Sequence, residues 1–238
     1  MQCVVLAGGL GTRMRSVTGD AIPKALLPVA GRPFIDLQME WLARTGVTSA
    51  VLCIGHLGAQ LRDHAGDGSR WGLRLHWVDE GEHLRGTGGA LRLAADQGAL
   101  EERFLLTYGD SYLPVSFQEV WDAFLRSGKP ALMAIFRNRG QWDRSNVQAL
   151  PDGTVRYEKG IPAGTPGFDF IDYGVSALER RVVEQRIPPG PPVDLAGVLG
   201  ALGREGLLAG HEVHQRFYEV GSPEGLADLE DFLRGRER

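Results

Sequence analysis

The sequence is poor in cysteine. Its only two thiols, Cys3 and Cys53, both lie in apolar, strand-like runs. Two cysteines are too few for a disulfide framework or a cysteine metal cluster, so we expect a buried, unlinked pair. The sequence also lacks any run of the ~18–20 apolar residues that would span a bilayer. Residues 1–9 have neither the cationic start nor the long apolar core of a signal peptide. The expected location is therefore the cytoplasm, with no membrane association.

Positive charge is also scarce. The chain carries 26 Lys and Arg against 30 Asp and Glu, a formal net charge of −4. So little cationic surface argues against general nucleic-acid binding, because a phosphate backbone is held by many Lys and Arg contacts. Any phosphate site must therefore be local. With 238 residues, 43% of them apolar, the chain is long enough for one large globular domain.

Apolar runs that predict strands alternate with amphipathic patterns that predict helices over the first two-thirds of the chain. The predicted strands cover residues 2–7, 50–54, 73–78, 103–108 and 131–136. Helices are predicted to begin at Pro33, at the capping box Ser116–Glu119, at Asp194 and at Ser222. This alternation is typical of an α/β fold, here a Rossmann-like three-layer sandwich with a mainly parallel sheet. Residues 145–178 lack a long helix and are interpreted as a β-rich insertion.

A glycine-rich turn follows the first predicted strand. Gly8, Gly9 and Gly11 let the backbone approach a ligand closely, so that its N–H groups could cradle phosphates. Arg13 adds a planar cation suited to phosphate oxygens, and Lys24 sits between a Pro step and an apolar run. The segment matches neither the P-loop pattern nor the dinucleotide-binding fingerprint. Two cations beside such a turn favour a triphosphate over a tight turn with two solvated side chains.

Residues 6–29 resemble the signature of the sugar-1-phosphate nucleotidyltransferase family, G-G-x-G-T-R-L-x-P-x-T followed by P-K-x-x-x-P-V. The chain is most similar to bacterial mannose- and heptose-1-phosphate guanylyltransferases, over nearly its whole length, although Ser16 replaces the usual proline. The resemblance implies a single nucleotidyltransferase domain, residues 1–238. Within it, residues 1–140 would bind the nucleotide, and residues 141–238 would hold the sugar phosphate and the C-terminal helices. A nucleoside triphosphate, best GTP, would react with a heptose or mannose 1-phosphate and release pyrophosphate.

The resemblance also implies which residues act on the nucleotide. Arg13 and Lys24 would bind the phosphates and stabilise charge on the α-phosphate, and Asp110 is the third expected catalytic residue. Glu80 stands where the family often has an acid or Gln that closes the base pocket. The expected nucleotide-binding residues are Leu6, Ala7, Gly8, Gly9, Gly11, Thr12, Arg13, Glu80, Gly86, Thr87 and Gly88.

A magnesium site is expected from two separate acids. Asp110 follows a predicted strand and matches the family's G-D motif, although a lone Asp there could equally cap a turn. Mg²⁺ usually takes one or two carboxylates together with phosphate oxygens and water, so a second acid is expected. The resemblance places it at Glu219, in a stretch similar to the family's W-x-D-x-G, with Glu replacing Asp. The alternative for Glu219 is a surface acid before a turn.

The sugar phosphate is expected on the β-rich stretch. Glu158 and Lys159 resemble the family's E-K pair, which would hold the sugar hydroxyls and the phosphate, although exposed Glu-Lys neighbours are common. Asp172 and Gly174 match an N-A-G segment in which Asp replaces Asn. Asn146 replaces a glycine of a Y-G-V segment. Both departures favour a sugar other than the common hexoses.

Two other functions remain open at this stage. The chain could be a non-catalytic sensor of a nucleotide sugar, although a sensor needs no charge clamp on a leaving group. It could also be a uridylyl- or cytidylyltransferase acting on another phosphorylated small molecule. The expected partners are a nucleoside triphosphate, a sugar 1-phosphate and Mg²⁺, while a homodimer is left open.

Overall fold

The computed structural model describes residues 1–9 and 21–236, the last of these without its side chain. Gly11, Thr12 and Arg13 of the predicted phosphate turn lie outside the described residues. The strands within them are β1 (Gln2–Leu6), β2 (Pro28–Val29), β3 (Arg32–Pro33), β4 (Ser49–Ile54), β5 (Arg74–Asp79), β6 (Arg103–Tyr108), β7 (Ser111–Tyr112), β8 (Ala131–Arg137), β9 (Val147–Ala149), β10 (Val155–Tyr157), β11 (Phe170–Glu179), β12 (Leu208–Val213) and β13 (Tyr218–Glu219).

Nine of these strands form one twisted sheet. The order runs β5, β4, β1, β6, β11, β8, β12, and the short β9–β10 hairpin joins β11 near its start. Strand β1 pairs in parallel with β4 and β6, β4 with β5, and β8 with β12. Strand β11 lies antiparallel between β6 and β8, and β9 pairs antiparallel with β11 and β10. The mainly parallel α/β sheet predicted from the sequence is therefore confirmed.

The helices lie between these strands. They are α1 (Phe34–Arg44), α2 (Gly58–Ala65), α3 (Gly86–Asp96), α4 (Phe117–Ser127), α5 (Arg180–Arg186), α6 (Leu195–Arg204) and α7 (Pro223–Arg236), with short 3₁₀ turns at Lys24–Leu26 and Ser69–Trp71. The predicted N-caps are present at three of them. Ser116 accepts a hydrogen bond from the Glu119 N–H, Asp194 from the Ala196 N–H and Ser222 from the Gly225 N–H. A cap of this kind stabilises its helix by about 1 kcal/mol.

Helices cover both faces of the sheet and so form the three layers. Neighbouring residues of β1 point to opposite faces, as the two-residue period of a strand requires. Val5 packs in a cluster with α1 and α4, through residues such as Met39 and Phe124. Val4 packs in the opposite cluster with α3 and α6, through Leu91 and Leu199. All five residues of β1 are buried, which explains why Cys3–Leu6 is a continuous apolar run. The side chain of the first residue, Gln2, is instead hydrogen-bonded to the backbone of Ala99 and Glu101.

The last helix forms a third, smaller cluster. Leu229 of α7 is buried against Phe34 and Tyr112, and Val220 completes the contact. The Ala30 N–H also donates to Glu230 of α7 over 3.0 Å. Helix α7 therefore supports the segment that follows Lys24 and leads into α1. None of the helices in the described part of the chain has both the length and the apolar character needed to span a bilayer.

Candidate active site

A cleft opens where the carboxyl ends of β1, β4, β5 and β6 meet. This is the edge at which parallel α/β sheets bind ligands, because loops leave the adjacent strands there. The cleft has a volume of about 270 Å³. Of the predicted nucleotide and catalytic residues that the structure describes, all but Gly88 line it: Leu6, Ala7, Gly8, Gly9, Lys24, Glu80, Gly86, Thr87 and Asp110.

Lys24 and Asp110 form an ion pair in this cleft. The Lys24 Nζ lies 2.8 Å from Asp110 Oδ2, and the two side chains are 19% and 29% exposed. Lys24 opens a 3₁₀ turn after Pro23, and the neighbouring Ala25 is buried, so the lysine is held at the rim while its ammonium enters the cleft. An ammonium in this place can meet phosphate oxygens and an acid at the same time.

Glu80 lies at the far side of the cleft, directly after β5. Its Oε2 accepts a hydrogen bond from the Arg85 N–H over 2.8 Å, and only 8% of the residue is exposed. Burial raises the pKa of this carboxyl above its ordinary value, against the lowering effect of the Arg85 N–H. A Cβ added to Gly8 would lie 2.4 Å from Glu80 Oε1. Residue 8 must therefore be glycine for the carboxylate to keep its place.

A second glycine turn, Gly86–Gly89, begins α3 and packs against Val193, in the segment before α6. Gly86 has a φ of +70°, and an added Cβ would lie 2.6 Å from the Val193 carbonyl oxygen. The Gly88 N–H donates to that oxygen over 2.8 Å. Gly88 therefore packs on Val193, whereas Gly86 and Thr87 reach the cleft.

The Thr87 hydroxyl also links the glycine turn to Asp194. It donates to Asp194 Oδ1 over 3.2 Å and accepts from the Leu195 N–H over 2.9 Å. Asp194 is predicted from the sequence only as a helix cap. Its contact with a residue that lines the cleft is a feature that no sequence signal connects to the site.

The predicted sugar-binding residues Asn146, Asp172 and Gly174 lie together at the start of β11. Asn146 Oδ1 accepts from the Asp172 N–H over 2.9 Å, and Asp172 Oδ1 accepts from the Gly174 N–H over 3.0 Å. Since β11 is antiparallel to β6, this start lies at the same sheet edge as Asp110. Burial raises the pKa of Asp172 to about 6, although the Gly174 N–H lowers it.

Glu158 and Lys159 follow β10. The Glu158 N–H donates to the Asn146 carbonyl over 3.0 Å, which joins the E-K pair to the Asn146 segment. The Lys159 ammonium lies 2.6 Å from Asp194 Oδ2. The lysine expected to hold a sugar phosphate is thus already paired with an acid that contacts the glycine turn.

The two predicted metal ligands lie at the same strand pair, with Glu219 on β13 and Asp110 in the turn directly before β7. Glu219 of β13 pairs with Ser111 of β7, and the Val220 N–H donates to the Asp110 carbonyl over 2.8 Å. The described residues contain no group of three or more His, Cys, Asp or Glu that could hold a metal. Mg²⁺ usually takes one or two carboxylates and completes its shell with phosphate oxygens and water, so the magnesium site stays a prediction that rests on these two acids.

Other residues line the cleft without having been predicted from the sequence. They are His56, Leu57, Leu84 and Tyr108. Burial, and after it the charge of Asp172, raises the pKa of the Tyr108 hydroxyl. Leu57 has a φ of +59°, a left-handed conformation that costs a non-glycine residue energy and is often found at functional sites. Tyr108 directly precedes the Gly109–Asp110 motif, so its place at the end of a strand could have identified it.

Comparisons with known proteins identify the family and the fold. The profile of the MobA-like NTP transferase domain matches residues 3–211. A mannose-1-phosphate guanylyltransferase of Mycobacterium tuberculosis is 32% identical over 99% of this chain, which spans 63% of that protein. An N-acetylmuramate alpha-1-phosphate uridylyltransferase of Neisseria meningitidis is 30% identical, covering 93% of this chain and 94% of its own length. The crystal structure of HddC from Yersinia pseudotuberculosis superposes with a TM-score of 0.77 at 21% identity, over 98% and 99% of the two chains.

Proposed function

This chain belongs to the MobA-like NTP transferase domain family, together with sugar-1-phosphate nucleotidyltransferases, and we propose that it transfers a guanylyl group from GTP to a mannose- or heptose-type sugar 1-phosphate. The products would be a GDP-sugar and pyrophosphate. The observation that carries this proposal is the Lys24–Asp110 pair in the same cleft as the Glu80 carboxylate. The Lys24–Asp110 pair supports phosphoryl transfer, and the Glu80 carboxylate supports guanine as the base.

The reaction needs no nucleophile from the protein. An oxygen of the sugar phosphate forms a bond to the α-phosphorus, while the bond from that phosphorus to the bridging oxygen breaks and pyrophosphate leaves. Lys24 would neutralise charge on the phosphates, and Arg13, outside the described residues, is expected to assist it. The protein would contribute position and charge. Mg²⁺, held by Asp110 and Glu219, would supply further charge neutralisation when bound.

Glu80 is the residue that favours guanine. A carboxylate only accepts hydrogen bonds, and guanine presents two adjacent donors, N1–H and the exocyclic amine. One oxygen of Glu80 is used by the Arg85 N–H, and the other lies beside Gly8 at the phosphate turn. Uracil offers a single N–H between two carbonyl oxygens, which a carboxylate repels. Glutamine, with one donor and one acceptor, would suit uracil better.

Uridylyl transfer to an acidic amino sugar phosphate is the second candidate. It is favoured by the Neisseria meningitidis relative, which matches this chain over nearly its own full length. The position of Asp172 on the sugar side argues against this candidate, because a carboxylate there would repel a sugar that carries a carboxylate.

A matrix of triphosphates and sugar phosphates tests the proposal. GTP, UTP, CTP, dTTP and ATP are each combined with mannose, heptose, glucose and N-acetylmuramate 1-phosphates, with products identified by mass spectrometry and pyrophosphate measured separately. We expect GTP with mannose or heptose 1-phosphate to react fastest. UTP with N-acetylmuramate 1-phosphate as the best pair would instead establish the second candidate. No pyrophosphate from any pair would leave a nucleotide-sugar sensor.

The Glu80→Gln variant isolates base selection. It should change the ratio of GTP to UTP turnover by about 10- to 100-fold in favour of UTP, as expected when a buried hydrogen-bonding partner is mismatched. Glu82→Gln is the matched control, because Glu82 is an exposed acid two residues on. An unchanged ratio in Glu80→Gln would remove the base assignment while leaving nucleotidyl transfer intact.

A further inference from the structure

The strongest feature that the proposed reaction does not use is the environment of Lys159. Its ammonium lies 2.6 Å from Asp194 Oδ2, although Lys159 follows β10 and Asp194 caps α6. The other oxygen of Asp194 accepts from the Thr87 hydroxyl over 3.2 Å and from the Ala196 N–H over 3.1 Å. One carboxylate therefore connects the lysine of the sugar side with the glycine turn of the nucleotide side.

Asp194 is charged at neutral pH. Partial burial alone would raise the pKa of this carboxyl, but Lys159, the Ala196 N–H and the Thr87 hydroxyl together hold it below the ordinary value. A phosphate group that approaches Lys159 thus meets an ammonium whose charge is already balanced. The pair is 65% and 53% exposed at its two side chains, so it can open without unfolding the helix cap.

We propose that Asp194 is an internal counter-ion of Lys159. The phosphate of the sugar substrate must separate this ion pair before the phosphate can bind to Lys159. This inference rests on the proposed function, in which Lys159 holds that phosphate. Asp194 acts through the lysine and is a positioning residue. The ion pair should lower the affinity of the empty site for free phosphate, because any anion must compete with the Asp194 carboxylate for Lys159.

The Thr87 contact fixes where the counter-ion sits. Besides Lys159, the Asp194 carboxylate accepts hydrogen bonds from the Thr87 hydroxyl and from the Ala196 N–H of its own helix. The preceding residue, Val193, is also fixed, because its carbonyl accepts from the N–H groups of Gly88 and Gly89. The carboxylate therefore stays in place when the lysine leaves, and the lysine is the mobile partner. Asp194 thus contacts Thr87 of the glycine turn through one oxygen and the lysine proposed to bind the sugar phosphate through the other.

The Asp194→Asn variant separates charge from structure. Asparagine caps helices as well as aspartate does, and its Oδ1 can still accept from Thr87 and Ala196. The amide NH2 that takes the place of Oδ2 carries no charge and accepts no hydrogen bond, so the ion pair with Lys159 is lost while the cap is kept. An exposed ion pair has a modest energy, which corresponds to a two- to fivefold change in binding. We expect about two- to fivefold tighter binding of inorganic phosphate by calorimetry, and an equal fall in the KM for the sugar phosphate that the matrix selects.

The controls decide what a result means. Glu205→Gln breaks the exposed Arg186–Glu205 pair at the other end of the same helix and should change neither value. Lys159→Met should weaken phosphate binding, and Asp194→Asn should add nothing in that background. The KM for the triphosphate should remain constant in Asp194→Asn, which a general loss of structure would not allow.

Each failure has its own meaning. Unchanged or weaker phosphate binding in Asp194→Asn overturns the counter-ion, as does tightening that persists when Lys159 is absent. If Lys159→Met leaves phosphate binding and the sugar KM as they are in the wild type, the role of Lys159 in the proposed function fails instead.

Discussion

The Lys24 ammonium lies 2.8 Å from Asp110 Oδ2, although the two residues are 86 positions apart in the chain. One follows the glycine turn after β1, and the other follows β6, the parallel neighbour of β1. The sheet therefore brings a cation of the phosphate turn against the acid proposed to bind magnesium. This contact joins the two halves of the proposed chemistry, and the first two predictions concern its consequences.

Replacing the lysine should affect rate far more than stability. In Lys24→Met we expect kcat to fall by about 10²–10³, the usual loss when one charge-stabilising group is removed. The melting temperature should change little, because a partly exposed pair contributes at most about 1 kcal/mol. Pyrophosphate release and thermal unfolding measure the two effects. Lys129→Gln, which removes a lysine bonded to the Gly206 carbonyl, is the control and should keep the wild-type kcat. Equal rates in both variants would exclude Lys24 from the reaction.

The metal proposal predicts a separable effect of the two acids. Asp110→Ala should abolish turnover with little loss of fold. Glu219→Gln should instead raise the Mg²⁺ concentration for half-maximal rate by about tenfold, because one ligand charge is lost. Rates measured against Mg²⁺ from chelated to saturating conditions give this value. The exposed neighbour Glu224 provides the control as Glu224→Gln. A Glu219→Gln curve that overlies the wild type would leave Asp110 as the only assigned ligand.

Asp172 predicts a pH dependence of stability. Its pKa is about 6 in the folded protein, raised by burial, against about 3.9 in an unfolded chain. The folded state therefore binds this proton more tightly, so the contribution of Asp172 to stability is greatest below pH 4 and is lost as pH rises through 6. Asp172→Asn should be the more stable protein at pH 7.5, by at most about 3 kcal/mol. The difference should vanish near pH 4 in denaturant unfolding measured across this range.

The control for that experiment has the opposite sign. Thr154 donates two hydrogen bonds to Asp152 and lowers the pKa of this exposed carboxyl. Its stabilising effect is thus present above pH 4 and lost below, so Asp152→Asn should be the weaker protein at pH 7.5. Parallel curves for the two variants would contradict the burial of Asp172.

Alanine substitutions at Gly86 and Gly98 should separate the effect of backbone strain from the effect of a steric clash. Gly86 and Gly98 have φ values of +70° and +68°, and an alanine at either should cost about 1 kcal/mol for the left-handed conformation. Only at Gly86 does an added Cβ meet another atom, the Val193 carbonyl oxygen at 2.6 Å. Gly86→Ala should therefore displace the turn and raise the KM for the triphosphate about tenfold, whereas Gly98→Ala should not. Equal KM values would place the turn outside the nucleotide site.

The strands of the first half of the chain were predictable because the parallel strands at the centre of the sheet are buried on both faces. A strand such as β1 then favours apolar residues at neighbouring positions, and its run Cys3–Leu6 is followed by Ala7 and two glycines. The long strand β11 was harder to predict, because Asp172 and Gly174 interrupt its apolar pattern. Its pairing with β6 and β8 decides its conformation, and this pairing is a tertiary effect.

Some contacts of the site could likewise be predicted from the sequence, and others could not. Asp110 follows β6, and the loop that leads to Lys24 leaves the neighbouring strand β1 at the same sheet edge. The proximity of Asp110 to that loop could therefore be inferred from the order of elements. The link between Lys159 and Asp194 could not, because neither residue belongs to a motif that contains the other. Asp194 carries a clear cap signal, and a cap signal says nothing about which side chain approaches from outside the helix. The roles of Glu158 and Lys159 toward a sugar remain predictions.

The insertion of β11 between β6 and β8 has a consequence for synthesis. When β8 leaves the ribosome, its two sheet neighbours, residues 170–179 and 208–213, have not yet been made. The nascent chain must therefore keep the apolar strand Ala131–Arg137 without a partner until most of the sequence has emerged. Unpaired strands of this kind invite association with other chains, so chaperone demand should peak during this interval and end when residue 213 becomes available.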